Sequence, residues 1–238
     1  MEDPRTPGAL TAPLPPTLAA ERVTQFLQRV YGWMGAGLAL TALVAVYVAS
    51  TPAILNPLAS NPLLFLGLVL GELGLVFYLS ARATRLAPGT AAALFAGYAA
   101  LNGVTLSFVF LAYTGQSVAN AFVVTAGMFG AMALYGSLTK RSLAGVGQFA
   151  FMGLVGLVLA SLVGLFWHNS TLQFLIAAVG VIVFTGLAAW DAQRLKQMAL
   201  ATPEGQAGSL AIVGALSLYL DFINLFISLL YFFGNRRE

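Results

Sequence analysis

The chain has 238 residues, of which 59% are apolar and only 8% are Asp, Glu, Lys or Arg. A soluble domain carries roughly 25% charged residues, so water is excluded as the main solvent and a polytopic membrane protein is the class that remains. With no cysteine the chain has no disulfides, thiol catalysis or thiolate metal sites, and a scattered net charge of +3 does not fit a nucleic-acid partner.

The opening "MEDPRTPGALTAPLPPTLAA" places half of the chain's ten prolines within its first sixteen residues. No apolar run there is long enough for a signal peptide. Residues 1–24 are expected to form a disordered, cytoplasmic tail, and residues 25–238 one membrane domain.

A spanning helix takes about 20 mostly apolar residues at a rise of about 1.5 Å each. Seven runs qualify: Val30–Ser50, Pro62–Ala81, Thr90–Ala112, Val118–Leu138, Phe149–Trp167, Leu172–Trp190 and Ser209–Phe233. The separators carry breaker residues: "STPAILNPLASNP", "RATRLAPG", "YTGQ", "TKRSLAG", "HNS" and "ATPEGQAG". Several are very short, so consecutive spans should pack as antiparallel neighbours. Arg22 and Arg29 precede span one, Arg82 and Arg85 follow span two, Lys140 and Arg141 follow span four, and Arg194 and Lys196 follow span six. All of these lie on one membrane face, which the positive-inside rule makes cytoplasmic together with the N-terminus. An odd number of spans puts the C-terminal "GNRRE" outside, where Arg236 and Arg237 oppose the rule. Small residues recur in "GWMGAG", "GLVLGELG", "GMFGAMALYG" and "GLVGLVLASLVG", a spacing that serves close helix packing.

A charge at the centre of a spanning helix costs about 2.5–3.5 kcal/mol on insertion scales, so each such residue is a functional candidate. In span seven, Gly214, Ser217, Asp221, Asn224 and Ser228 fall on one helix face, which should look toward the bundle interior or a water-filled cavity. Counting back about 20 residues from Phe233 puts Asp221 about 10 Å inside the cytoplasmic boundary. Asp191, at the inner end of span six, lies near that depth, so a carboxylate pair is geometrically allowed. Read without function, Asp221 is a neutral acid bonded to a neighbouring helix, and Asp191 in "WDAQRLK" pairs with Arg194 one turn on. Trp190 suits an interfacial aromatic belt. Glu72 sits in mid-membrane in span two, with Gly71 and Gly74 allowing close approach of another helix. Arg82, about 15 Å further along the same helix, reaches the depth of Asp191 and either snorkels or acts as a cation between the acids. His168 is read as an exposed polar residue at a helix end.

The closing "ALSLYLDFINLF", residues 215–226, resembles the signature of the Bax inhibitor-1 (transmembrane Bax inhibitor motif) family. A Glu in span two, "WDAQ" ending span six and seven spans fit the same pattern, and the likeness covers nearly everything after residue 25. The resemblance implies an all-α membrane protein, a seven-transmembrane-helix bundle with the last helix central. Short loops and small size resemble a bacterial member, which implies the bacterial plasma (inner) membrane. It further implies a pH-sensitive calcium leak channel without enzymatic activity or resident cofactor, with Ca²⁺ as the transported ion. Asp191 and Asp221 match the family's pH sensor, and their oxygens would meet Ca²⁺. Arg82 matches the sensor's arginine, with Arg85 close by, and Glu72 matches the helix-two acid. With Asn224 and Ser217, Glu72 is expected along the ion pathway. Two carboxylates in contact cannot both ionise cheaply, so the pair would share a proton and let protons compete with Ca²⁺.

Other classes compete. Two aspartates on spans six and seven also describe an intramembrane aspartyl protease. That family's Gly-x-Gly-Asp is absent here, where Leu218, Tyr219 and Leu220 precede Asp221, and span seven has no proline. A retinal protein needs a lysine in span seven, and the only lysines are Lys140 and Lys196. A proton-coupled cation exchanger, or a non-transporting regulator that binds another membrane protein such as a protease, stays open.

Overall fold

A computed structural model describes residues 15–167, 169–202 and 206–235. They form eight helices: α1 (Pro16–Ala49), α2 (Pro52–Ser60), α3 (Pro62–Ala81), α4 (Pro88–Ala112), α5 (Gly115–Leu138), α6 (Ala144–Phe166), α7 (Ser170–Ala201) and α8 (Ala207–Phe233). All but α2 are long and apolar enough to cross a membrane, and they match the seven expected spans in order. The protein is an integral membrane protein built as a seven-span helical bundle.

Span starts on one membrane face share a device. Asn61 accepts from the backbone N–H groups of Leu63 and Leu64, Thr114 from that of Ser117, and Asn169 from those of Thr171 and Leu172. Each cap satisfies donors that a helix start leaves open, which lets very short turns reverse the chain at the membrane surface.

The last helix is the central one. Two thirds of the most apolar stretch of α8 is buried (67%), against 11% for α3. The helix packs on α1, α4, α5 and α7, while α3 leans mainly on α4. Without a hydrophobic drive between helices in lipid, close approach carries the packing energy. A Cβ on Gly37 would meet the Phe95 ring at 2.5 Å, and one on Gly103 would meet the Thr41 carbonyl at 2.7 Å, so these glycines seat α1 on α4. On α8, a Cβ at Gly214 would meet Leu195 at 2.5 Å, and one at Gly180 of α7 would meet the Ser228 hydroxyl at 2.5 Å. Those two contacts fix the antiparallel register of α7 and α8. The α3 glycines Gly67, Gly71 and Gly74 meet no neighbour, so the expected close approach beside Glu72 does not occur there.

Helices α5 and α6 begin three and five residues before the expected spans, and the structure differs most from the expected boundaries in three other places. Helix α1 begins at Pro16, so the expected disordered tail to residue 24 is helical from there on. Phe26 is buried in the core, and the Arg22 guanidinium donates to the Thr202 carbonyl, which anchors this polar first part. The first fourteen residues lie outside the description, as do His168, Arg236 and Arg237. Helix α7 continues to Ala201, well past Trp190, because "DAQRLKQMALA" is rich in helix formers and buries Asp191, Ala192, Leu195 and Ala199 at helical spacing. Between spans one and two, the expected loop folds into α2, whose Leu55 and Leu58 close over Val44, Val48, Val104 and Phe108.

Candidate functional site

The sequence motif around Asp221 sends residues to two sides of α8. Tyr219 and Asp221, two positions apart, point about 200° away from each other.

On the Asp221 side α8 faces α7. Asp191 and Asp221 are both buried, with 7% and 6% of their surface exposed, and they lie close enough for their charges to act on each other. Asp191 is level with Ser217, the polar neighbour of its carboxyl, and Asp221 sits one turn further along α8. No hydrogen bond reaches Oδ1 of Asp191 or Oδ2 of Asp221. Among the described residues the cation at the pair is Arg194, whose guanidinium stands 3.9 Å from that same Asp191 oxygen and whose side chain is half exposed. A cavity of about 30 Å³, lined by Asp191, Arg194, Ser217 and Gly214 among others, adjoins Asp191. It has room for about one water molecule. No third Asp, Glu or His joins them among the described residues. Two carboxylates fall short of the six to eight oxygens of a resident Ca²⁺ site.

The remainder of "WDAQ" holds this site in place. Trp190 lies against Gly147 of α6 and takes the Arg194 guanidinium over its ring at 5.4 Å. Gln193 accepts from the Leu143 N–H at 2.8 Å and donates to the Arg141 carbonyl at 2.9 Å. Lys196 donates to the Ser137 carbonyl at 2.9 Å. The turn between α5 and α6 is therefore latched to the same stretch of α7 that carries Asp191.

On the opposite side of α8, Tyr219 is fully buried between the edges of Phe95 and Tyr98. Its hydroxyl donates to Asn102 Oδ1 at 2.9 Å and lies 2.6 Å from the Thr41 hydroxyl, which donates to the Ala99 carbonyl. Asn102 in turn donates to Glu72 at 3.3 Å, and Thr105 donates to Glu72 at 2.9 Å. Glu72 of α3 is thus bonded into a polar chain through α4 and α8 to α1.

Of the residues singled out in the sequence, the structure brings Asp191, Asp221 and Ser217 together, and Asn224 follows one turn below Asp221. Glu72 stands apart, on the other side of α8. Arg82 is exposed at the C-terminal end of α3, over the Tyr78 ring at 5.3 Å, and forms no ion pair with either aspartate among the described residues. The cation at the pair is Arg194, because α3 does not pack on α7. Sequence reasoning did not single out Gln193, Tyr219, Asn102, Thr105 or Thr41. Neutral polar residues are common in spanning helices, and only their partners distinguish these.

Fold and site define a seven-span helical membrane protein with a buried carboxyl pair beside its central helix. The family model described as inhibitor of apoptosis-promoting Bax1 matches residues 23–238, and the chain belongs to this family. It is similar to the inner membrane protein YbhL of Escherichia coli K12, with 49% identity over 215 residues, 89% of this chain and 92% of the relative. An uncharacterized Deinococcus radiodurans protein is 46% identical over 92% of this chain and 93% of its own length. An uncharacterized Borreliella burgdorferi protein is 41% identical over 90% and 93%.

Proposed function

We propose that the protein is a pH-sensitive calcium leak path of a bacterial inner membrane, gated where Asp191 and Asp221 meet. The observation that carries this reading is the pair itself: two buried carboxyls from α7 and α8, each with an oxygen that has no hydrogen-bond partner. Two neighbouring acids cannot both ionise cheaply in a buried site, so their shared protonation state responds to pH. A divalent cation can replace the shared proton, because both bind the same oxygens. Arg194, at the edge of the pair, biases that competition. The inner-membrane location rests on the printed description of the Escherichia coli relative. Nucleophilic or hydrolytic chemistry is not part of the reading, and the N-terminus is placed in the cytoplasm by the positive-inside rule.

The test is Ca²⁺ flux into liposomes across a pH series. Asp191→Asn and Asp221→Asn are each expected to flatten the pH profile that the unaltered protein shows. Mutants that keep that profile would overturn the gate assignment. Purified protein that passes no ion at any pH would favour a non-transporting regulator that binds another membrane protein.

A further inference from the structure

The polar first part of α1 carries Arg22, Gln25, Phe26 and Arg29, a spacing that puts all four on one helix face. That face does not lie flat on its neighbours. Together with Ala199 of α7 and Ala207 at the start of α8 it encloses a cavity of about 260 Å³, close in size to the smallest ligand sites, about 300 Å³. Phe26 and Ala199 are buried and give the cavity an apolar wall, while Arg22 is half-buried and Arg29 is exposed. Arg22 spends one N–H on the Thr202 carbonyl and keeps others open, and Arg29 has no hydrogen bond or ion pair among the described residues. Glu21, the one described acid of α1, takes the Gln25 amide at 3.2 Å and does not line the cavity. No side chain caps the first turn of α8, so the positive end of that helix adds to the same corner.

We propose that this cavity binds the phosphate group of an anionic phospholipid, held between Arg22 and Arg29 of α1 and the start of α8. Two cations that face one cavity repel each other, and an anion between them offsets that repulsion. Guanidinium groups match phosphate oxygens in geometry as well as charge. Depth favours a lipid over a phosphate free in solution. Arg29 immediately precedes the apolar run of α1, and Arg22 lies about 10 Å further out. Lipid headgroups fill about 5–8 Å on each side of the hydrocarbon core, so the cavity begins at the hydrocarbon edge and spans the headgroup layer. A basic pocket between spanning helices at that level, on the Arg-rich face, is suited to an anionic headgroup. Other cations of this face are engaged within the protein: Arg194 at Asp191, Lys196 at the Ser137 carbonyl and Arg82 over the Tyr78 ring. A lipid seated here ties α1 to the turn between α7 and α8, yet its binding does not depend on the aspartate pair being a gate.

Native mass spectrometry of the full chain, released from detergent after titration with phosphatidylglycerol or phosphatidylcholine, reads this binding directly. One phosphatidylglycerol is expected to bind at least about ten-fold more tightly than phosphatidylcholine, whose headgroup carries no net charge. Arg29→Gln is expected to weaken it about ten-fold, the size of one charge-assisted hydrogen bond. Lys140→Gln makes the same change of charge in the exposed turn between α5 and α6, away from the cavity, and is expected to alter binding less than about two-fold. Arg22→Gln should weaken binding as well. If losing the Thr202 bond unfolds that variant, Arg29→Gln still decides, because Arg29 holds no described part of the protein together. Equal affinity for the two lipids would overturn the site. Equal losses from Arg29→Gln and Lys140→Gln would also overturn it, since the attraction would then belong to the whole face. Inorganic phosphate, added in excess, is expected to leave the lipid bound; phosphate that binds where phosphatidylglycerol does not would overturn the lipid as the source.

Discussion

Tyr219 has a single polar atom, and that atom stands between three helices. Replacing it by Phe removes the donor to Asn102 Oδ1, while Thr41 keeps its bond to the Ala99 carbonyl. A buried acceptor left without a donor costs about 1–3 kcal/mol, so Tyr219→Phe is expected to lower thermal stability in detergent by that order. The pH profile of flux should persist, because Asp221 faces the other way. Glu72→Gln belongs at the same scale. Glu72 holds α3 to α4 through Asn102 and Thr105, and an amide keeps the shape but replaces one of the two accepting oxygens with an NH₂ donor. The expected result is a lower melting temperature with an unchanged pH profile; lower flux at saturating Ca²⁺ with unchanged melting would return Glu72 to the ion route. Asp191 and Asp221 were legible in the sequence because charge is costly in an apolar helix. Tyr219 was not, since a tyrosine in a spanning helix is unremarkable until its hydroxyl is seen to join Thr41 to Asn102.

At the scale of elements, hydropathy located the seven spans well and misplaced the ends of α1 and α7 most. The apolar signal of α7 stops at Trp190, while the helix runs to Ala201 because its polar continuation still buries one face. The same continuation carries Gln193 and Lys196, which hold the α5–α6 turn. Gln193→Leu is expected to release backbone groups of Arg141 and Leu143 and to raise hydrogen exchange selectively in residues 139–146, while exchange in the middle of α8 stays protected. Exchange unaltered in that turn would mean that the latch is redundant. Helix α2 escaped sequence reading for a related reason. Its helical state depends on Leu55 and Leu58 finding Val48 and Phe108, contacts that no local pattern encodes.

For the whole molecule, α8 forms a complete span. Its C-terminal end meets the turn between α4 and α5, where Thr114 N–H donates to the Asn235 carbonyl at 3.3 Å and Asn235 N–H to the Ser117 hydroxyl at 3.0 Å. That turn lies on the face opposite the Arg-rich loops, so both chain ends are expected on different sides of the membrane. A C-terminal alkaline-phosphatase fusion should be active and a green fluorescent protein fusion dark; the reverse would place the C-terminus in the cytoplasm.

Because α8 is keyed on two sides, it cannot act as a rotor. Tyr219 is bonded toward α1 and α4, and nearly half a turn around the helix Gly214 and Ser228 mesh with Leu195 and Gly180 of α7. Any twist of α8 about its own axis breaks one set as it strains the other. A gate built around such a spindle opens when the surrounding helices shift outward while the spindle stays still. Distances measured between spin labels on α8 and α7 should then change less between acid and neutral pH than those between α8 and α6.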